Sequence, residues 1–231
     1  MRQFKNKKKI YFYLLLLVFL SSIFNQNLKS KLSDLFLINK IKVSGIDKYE
    51  KKMILNELEK NYNLNIFLIN KDKIIRQLSN LTFIEELKIK KKLPSQVNVS
   101  AKKTELLAII YFDGEKYYVG NNKKLINPKD IKNINGLKLP IVFGNVTVEE
   151  FMKLLSILKK KKLNINEIKR FHYFPSKRWD LSFDNGIILR LPSENIEKAL
   201  KNFIIFKKNN NLINNTSIDL RISDRIIVSN D

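Results

Sequence analysis

Residues 38–45, Ile-Asn-Lys-Ile-Lys-Val-Ser-Gly, set the fold of the stretch that follows them. Polar and apolar side chains alternate, so Lys40 and Lys42 face one way while Ile41 and Val43 face the other. A two-residue period of this kind predicts a β-strand with one buried side. The closing Ser-Gly pair supplies the turn that ends the strand.

Two helices and a hairpin are predicted after this strand. Asp47, with Glu50 three residues later, has the spacing of a capping box and starts the first helix, and Asn70 starts the second. Two strands follow, joined by a Leu-Pro-Ser turn at 93–95. The order is therefore β-α-α-β-β. Apolar residues mark the buried sides of these elements: Ile54, Leu55, Leu58 and Tyr62; Ile74, Ile75, Leu78 and Leu81; Leu87 and Ile89; Val97, Val99 and Ala101.

This order of elements, together with four short strings, resembles the POTRA domain, the polypeptide-transport-associated module. The strings are Ile-Lys-Val-Ser-Gly at 41–45, Asn-Ile-Phe at 65–67, Lys-Lys-Leu-Pro at 91–94 and Val-Asn-Val at 97–99. Two helices on one face of a three-stranded sheet leave an edge strand with unpaired N–H and C=O groups. Such an edge can accept a strand from a partner.

The remainder of the chain shows closely spaced strand signals interrupted by helices. Strands are bounded by Gly and Asn turns, and an Asp-Asn-Gly turn predicts one hairpin. Strands are predicted at 106–112, 117–119, 139–143, 179–183, 187–191 and 218–222, with helices beginning near Thr147 and Ser193.

The first residues of the chain predict an uncleaved transmembrane helix. Five basic residues precede Ile10, and residues 10–28 carry no charge. Nineteen helical residues extend over about 28 Å, close to the hydrocarbon core of about 30 Å. The basic flank keeps the N-terminus in the cytoplasm, so the rest is exported. A cleaved signal peptide is the alternative, but no small-x-small cleavage site follows.

The predicted fold class is α+β, with an N-terminal single transmembrane helix, a POTRA domain and a β-rich domain whose helices pack on a mostly antiparallel sheet. Five segments are expected: a cytoplasmic basic tail at 1–9, the transmembrane helix at 10–28, a linker at 29–37, the POTRA domain at 38–105 and the β domain at 106–231.

Composition excludes several kinds of site. The chain has 231 residues, no cysteine and one histidine, His172, so disulfides, Cys-ligated centres and multi-histidine metal sites are excluded. Its 44 Lys and Arg against 22 Asp and Glu give a net charge of +22. Most of these cations are Lys, which A/T-rich codons favour, whereas specific phosphate and base recognition favours Arg. We therefore expect no specific nucleic-acid partner.

No residue pattern typical of catalysis is present. The sequence has no Gly-x-Ser-x-Gly elbow, and His172 lies in an aromatic strand end where a packed imidazole is expected. The adjacent carboxylates at 85–86 and 149–150 point in different directions on a strand or a helix. The six glycines are scattered at turns and form no phosphate loop. We expect a protein that is not an enzyme and that holds no cofactor and no metal.

Three strings in the second half, taken with the predicted layout, resemble the FtsQ/DivIB family of bacterial cell division proteins. They are Leu-Pro-Ile-Val-Phe-Gly at 139–144, Arg-Trp-Asp-Leu at 178–181 and Ile-Asp-Leu-Arg at 218–221. The chain departs from the family pattern at 103–108, where Leu106 stands in place of a proline. The resemblance covers nearly the whole chain.

The resemblance implies a non-catalytic divisome scaffold at the septum, anchored in the inner membrane with the bulk of the chain in the periplasm. Its implied partners are FtsB- and FtsL-like coiled-coil membrane proteins and other division proteins. Through these contacts it would link early cytoplasmic and late periplasmic proteins and control septal peptidoglycan synthesis. The alternative is a POTRA-containing periplasmic chaperone or translocation accessory for an outer-membrane barrel.

Six residues are predicted to bind the partner. If the strand from Ile218 to Val228 is the last of its sheet, its free edge can receive a partner strand. The family resemblance adds the Trp-containing hairpin. The predicted contact residues are Arg178, Trp179, Ile218, Leu220, Arg221 and Ile222.

Two alternatives for these residues remain open. Trp179 shares a strand face with Leu181 and Phe183, which is also typical of a core position. The two arginines have nearby acidic residues with which they can form internal salt bridges. The candidate acids are Asp180, Asp219 and Asp224.

Export of the chain is directly testable. A reporter enzyme that is active only after export should work when fused after Asp231 and fail when fused before Arg2. Recovery of a mature chain that begins near Asn25 would show instead that a signal peptide is removed.

Overall fold

The computed structural model describes residues 3–24, 33–134, 136–209, 214–222 and 225–230. The chain divides into two compact units. The first unit consists of Met1–Asn80 and Leu87–Ala101, and the second consists of Leu81–Glu86 and Lys102–Asp231.

The first unit has the predicted β-α-α-β-β order after an N-terminal helix. Its sheet has the order β1-β3-β2, and β1 runs parallel to β3, with Ile41 opposite Val97 and Val43 opposite Val99. These four side chains are buried, as the alternating pattern predicts. The elements are α1 (Gln3–Phe24), β1 (Lys40–Ser44), α2 (Lys48–Leu58), α3 (Lys71–Gln77), β2 (Ile84–Lys92) and β3 (Gln96–Lys103).

Of the two helix caps predicted in the first unit, one is confirmed and the other is wrong. Asn70 caps α3, because its side-chain oxygen accepts a hydrogen bond from the backbone N–H of Asp72 at 2.9 Å. The capping box predicted at Asp47 is wrong, since the Asp47 side chain makes no capping bond. Glu50, the other member of the predicted box, is fully buried.

Helix α1 corrects the prediction for the N-terminus. It begins at Gln3, within the basic residues, and its large apolar side chains from Ile10 to Leu20 are 41–70% exposed. In the described ranges no helix is both long enough and apolar enough to cross a membrane. The transmembrane helix predicted over 10–28 is therefore not found. The described helix is Gln3–Phe24, and residues 25–28 of the predicted span lie outside the described residues.

The second unit is built on one nine-stranded sheet. Its order is β12-β11-β10-β9-β8-β7-β4-β5-β6, and five of the eight described pairings are antiparallel, as predicted. The elements are β4 (Leu106–Phe112), β5 (Glu115–Gly120), β6 (Leu125–Ile126), β7 (Ile141–Phe143), α4 (Val148–Lys160), β8 (Ile168–Tyr173), β9 (Trp179–Phe183), β10 (Ile188–Leu191), α5 (Ile196–Asn209), β11 (Thr216–Asp219) and β12 (Ile227–Asn230).

Helices α4 and α5 supply the connections that parallel neighbours require. Strands β7 and β8 are parallel and joined by α4, and β10 and β11 are parallel and joined by α5. The predicted capping box of α4 is confirmed: Glu150 N–H donates to Thr147 Oγ1 at 3.2 Å, and Thr147 N–H donates to Glu150 Oε2 at 3.1 Å. Both helices bury apolar residues in the core of this unit: Phe151, Leu154, Leu155 and Leu158 from α4, and Leu200 and Phe203 from α5.

We expect Gly144→Ala to lower the free energy of unfolding of the second unit by about 2–5 kcal/mol. Gly144 has a φ of 101°, and an added Cβ would overlap the carbonyl oxygen of Tyr173. Gly114→Ala is the matched control, because Gly114 also has a positive φ, 79°, but no atom within 4 Å of the added Cβ. Its expected cost is about 1 kcal/mol. Urea denaturation followed by the fluorescence of Trp179 measures both values, and equal losses would contradict the role of the Tyr173 contact.

Candidate partner-binding edge

Strand β12 forms one edge of the nine-stranded sheet. It pairs antiparallel with β11, with Ile218 opposite Val228 and Asp219 opposite Ile227. Among the described strands it has no second neighbour. The Ile227 and Val228 side chains are 47% and 44% exposed. The edge therefore combines an unpaired row of backbone groups with exposed apolar side chains, the features that favour addition of another strand.

The single strand predicted from Ile218 to Val228 is wrong. The segment forms two strands, and β11 lies inside the sheet between β10 and β12. Strand β11 ends at Asp219, and between it and β12 the Arg225 N–H donates to the Ile222 carbonyl oxygen at 3.3 Å. The edge is consequently one strand further along the chain than predicted.

A row of side chains that contains Asp180, Arg190 and Asp219, with His172 at one end, crosses the face of this sheet that is opposite the helices; we call it the charged row. Strand pairing places His172 beside Asp180, Asp180 beside Arg190, and Arg190 beside Asp219. Their neighbours along each strand, such as Trp179, Leu181, Leu189 and Ile218, are buried in the core. Because strand residues alternate between faces, the charged row lies on the other face. It ends at Ile227 of β12.

Arg221 is bound within the chain. Its Nε donates to Asp219 Oδ1 at 2.9 Å and to Oδ2 at 2.8 Å, its Nη2 also donates to Oδ2, and its backbone N–H donates to Oδ1 at 2.9 Å. The side-chain hydrogen bonds from Arg221 hold the pKa of Asp219 below its ordinary value, against the opposing effect of partial burial. One of the internal salt bridges left open by the sequence is thus present.

Asp180 lies at the centre of the charged row. Burial raises the pKa of its carboxyl group, and the positive charges of Arg190 and Arg221 oppose that rise. His172 stacks on Phe143, with the ring centroids 4.7 Å apart. The row therefore holds acids and bases in alternation, partly withdrawn from solvent, where charge pairing is stronger than at a fully exposed surface.

The structure separates the six predicted contact residues into two groups. Trp179, Ile218 and Leu220 are buried, with exposures of 3%, 0% and 3%, and belong to the core. Trp179 packs against Tyr173 with ring centroids 4.8 Å apart. The other three reach the surface: Arg178 is half-buried and donates from Nε to Ser176 Oγ at 2.8 Å, Arg221 is bound to Asp219, and Ile222 is 50% exposed. Partner binding by these residues stays a prediction.

The sequence alone missed Ile227, Val228 and Arg190. The period-two signal was present in β10, where Arg190 alternates with the buried Leu189 and Leu191. Alternation shows on which face of the sheet Arg190 lies, but it does not show which strand lies beside β10. The charged row depends on these strand pairings, which the sequence does not give. Among the side chains that the structure describes, no group of three or more metal-ligating residues is placed to hold a metal ion.

Comparisons with known proteins give one consistent result. The model of the FtsQ-type POTRA domain matches residues 36–102, and the model of the C-terminal part of the cell division protein FtsQ/DivIB matches residues 108–221. The chain is 27% identical over 191 residues to the cell division protein FtsQ of Rickettsia bellii, covering 82% of this chain and 70% of that protein. It is 23% identical over 195 residues to FtsQ of Agrobacterium fabrum, covering 84% and 61%.

Solved structures are also similar, and one of them is a domain of a cell division protein. It is the major extracytoplasmic domain of the trans isomer of the cell division protein DivIB from Geobacillus stearothermophilus, with 12% identity and a TM-score of 0.32. The match covers 48% of this chain and 98% of that domain.

The Asp219–Arg221 pair predicts a defined pH dependence of stability. Because the folded pKa of Asp219 is lowered, the pair stabilises the protein above the unfolded pKa of about 3.9, and this contribution is lost as the pH falls through the lower folded pKa. We expect wild type to exceed Arg221→Gln in free energy of unfolding by about 1 kcal/mol at pH 7 and by nothing at the acid end. Urea denaturation from pH 7 to pH 2 measures the difference.

Arg225→Gln provides the control for this experiment. Arg225 is exposed, and none of the described carboxylates lies within 4.0 Å of its side chain. The free energy of unfolding of Arg225→Gln should differ from that of wild type by nearly zero from pH 7 to pH 2. A difference for Arg221→Gln that does not change with pH would contradict the account.

Proposed function

Because the chain belongs to the FtsQ/DivIB family of cell division proteins, we propose that it is a non-catalytic scaffold of the division machinery. In this role it links early cytoplasmic and late periplasmic division proteins and controls septal peptidoglycan synthesis through protein contacts. The observation that carries the proposal is the exposed edge of β12. A protein that acts by binding needs such a surface, whereas a catalytic role would need a reactive cluster.

Strand addition explains how this edge can hold a partner. An extended segment laid beside β12 would pair with the backbone groups that β11 leaves unused. Alternate side chains of that segment would lie beside Ile227 on one face of the sheet and beside Val228 on the other. The backbone bonds supply affinity, and these two exposed apolar positions select partner residues that are themselves apolar.

The charged row gives the partner a second contact. A segment that continues past β12 over the open face meets the Asp219–Arg221 pair first and Arg190 next. Since the row alternates in sign, it favours a partner with charges in the opposite order and disfavours a uniformly charged one. We propose FtsB- and FtsL-like coiled-coil proteins as the partners.

The six predicted contact residues then have two distinct tasks. Arg178, Arg221 and Ile222 are placed to touch a partner, because each reaches the surface. Trp179, Ile218 and Leu220 lie in the core beneath the surface, where their burial fixes the strands that carry the charged row and the edge. Substitution of the second group would weaken binding through loss of folding.

The proposed place of action is the division septum, with both units in the periplasm. The order of basic and then apolar residues in α1 supports export, because it is typical of segments that direct a chain across the membrane. The absence of cysteine is compatible with an oxidising compartment.

The edge proposal predicts that proline at β12 separates binding from folding. Successive strand residues direct their N–H groups to opposite sides, so one of Ile227→Pro and Val228→Pro removes an outward donor and the other removes a donor to β11. We expect the outward substitution to abolish co-purification of the coiled-coil partner. The near-UV circular dichroism of the buried Trp179 should remain native in that variant.

A pair of alanine variants tests the side chain without disturbing the backbone. Ile227→Ala should weaken partner binding on the order of tenfold. Ile205→Ala is its control, because Ile205 on α5 is exposed to a similar extent, 51% against 47%, but lies away from the edge. Undiminished binding by every folded β12 variant would contradict the site.

A further inference from the structure

A groove in the second unit lies between the C-terminal ends of α4 and α5, beside the turn that joins β9 and β10. Its volume is about 580 Å³, within the range of roughly 300–1,000 Å³ for small-molecule sites. The floor is apolar: Ile187 and Phe203 are 6% and 3% exposed, and Phe183 and Leu163 are half-buried beside them. This floor suits a ligand with an apolar body.

Four lysines surround the opening of this groove. Lys161 and Lys162 follow α4, and Lys207 and Lys208 lie in the last turn of α5. Lys161 is 3.7 Å from Glu197 Oε2 and is thereby partly neutralised. In the described part of the chain, none of the other three lies within 4.0 Å of a carboxylate.

The negative groups near the groove do not balance these charges. Glu167 is the acidic residue among the described groove residues, and its Oε1 accepts a hydrogen bond from Asn164 at 2.7 Å. Each helix C-terminus contributes about half a negative charge. Against the three lysines without a carboxylate neighbour, one carboxylate and two helix ends leave roughly one positive charge uncompensated.

We propose that this groove binds an anionic amphiphile, a molecule with an apolar chain and a phosphate or carboxylate head group. The chain would lie on Phe203 and Ile187, and the head group would lie among Lys162, Lys207 and Lys208. Neither a simple anion nor an uncharged apolar ligand accounts for the site, because an anion needs no apolar floor and an apolar ligand needs no surrounding lysines. Charge complementarity and a buried apolar floor together define the class of ligand.

A peptide fits this groove less well than a small amphiphile. Strand β9, whose Phe183 lines the groove, and its neighbour β10 are each paired on both sides within the sheet. They therefore offer no free row of backbone groups for strand addition. The groove is also separate from the β12 edge, since its strand-borne lining comes from the β9–β10 turn.

Titration calorimetry on the full chain tests the proposal with dodecyl phosphate below its micelle-forming concentration. Dodecyl maltoside carries the same chain without charge and measures binding to other apolar surfaces, including the exposed side chains of α1. Inorganic phosphate carries the head group without the chain. We expect dodecyl phosphate to bind at one saturable site, with an affinity on the order of tenfold or more above either control.

Two charge reversals on α5 locate that site. Lys208→Glu should weaken dodecyl phosphate binding on the order of tenfold, because it replaces an attraction at the opening with a repulsion. Lys201→Glu is the matched control, since Lys201 is an exposed lysine of the same helix outside the groove, and should change affinity less than about twofold.

Four results would overturn the proposal. Equal affinity for dodecyl phosphate and dodecyl maltoside would show a purely apolar surface, and equal affinity for inorganic phosphate would show a simple anion site. Equal effects of the two reversals would place binding elsewhere. If an acidic leucine-containing hexapeptide binds as tightly as dodecyl phosphate, with the same dependence on Lys208, the groove belongs to a polypeptide.

Discussion

The parallel pairing of β10 with β11 is the interaction on which the proposed binding edge depends. It places Leu189 opposite Ile218, both fully buried, after the chain has crossed the sheet through α5. Without this pairing β11 would not form part of the sheet, β12 would have no neighbour, and the edge would be β10. Non-local parallel pairing becomes favourable only after the crossover helix has packed, so the Leu200 and Phe203 contacts of α5 are part of the same cooperative unit.

The same pairing arranges the electrostatics of the open face. By fixing Arg190 between Asp180 and Asp219, it places a cation between two acids on adjacent strands. Arg221 also pairs with Asp219. A chain with a net charge of +22 thus has a nearly balanced surface beside its binding edge, while its excess of lysine lies elsewhere, including the groove at the ends of α4 and α5. The proposed partner contact at the edge and the proposed anion binding at the groove therefore use different parts of the second unit.

The sequence predicted most elements, and its failures beyond the Asp47 capping box and the helix over 10–28 lie where strand pairing decides the structure. Alternation in β1, the cap at Asn70 and the capping box at Thr147 are local signals, and each is confirmed. The break between β11 and β12 was missed because residues 220–226 contain no Gly or Pro and their apolar residues imitate a continuing strand. The end of β11 is instead accompanied by the bonds from Arg221 to Asp219, an interaction that no turn propensity encodes. The lysine-rimmed groove was missed because Lys162 and Lys207 are brought together only by tertiary structure.

The most direct test of the central claim is amide hydrogen exchange in β12, measured on the full chain with and without its coiled-coil partner. A strand paired on one side should protect alternate amides and leave the others to exchange rapidly. If the partner adds a strand, the rapidly exchanging amides within 227–229 should slow on the order of a hundredfold when the complex forms, and those directed to β11 should change less. A complex that forms while exchange throughout β12 is unchanged would contradict the account.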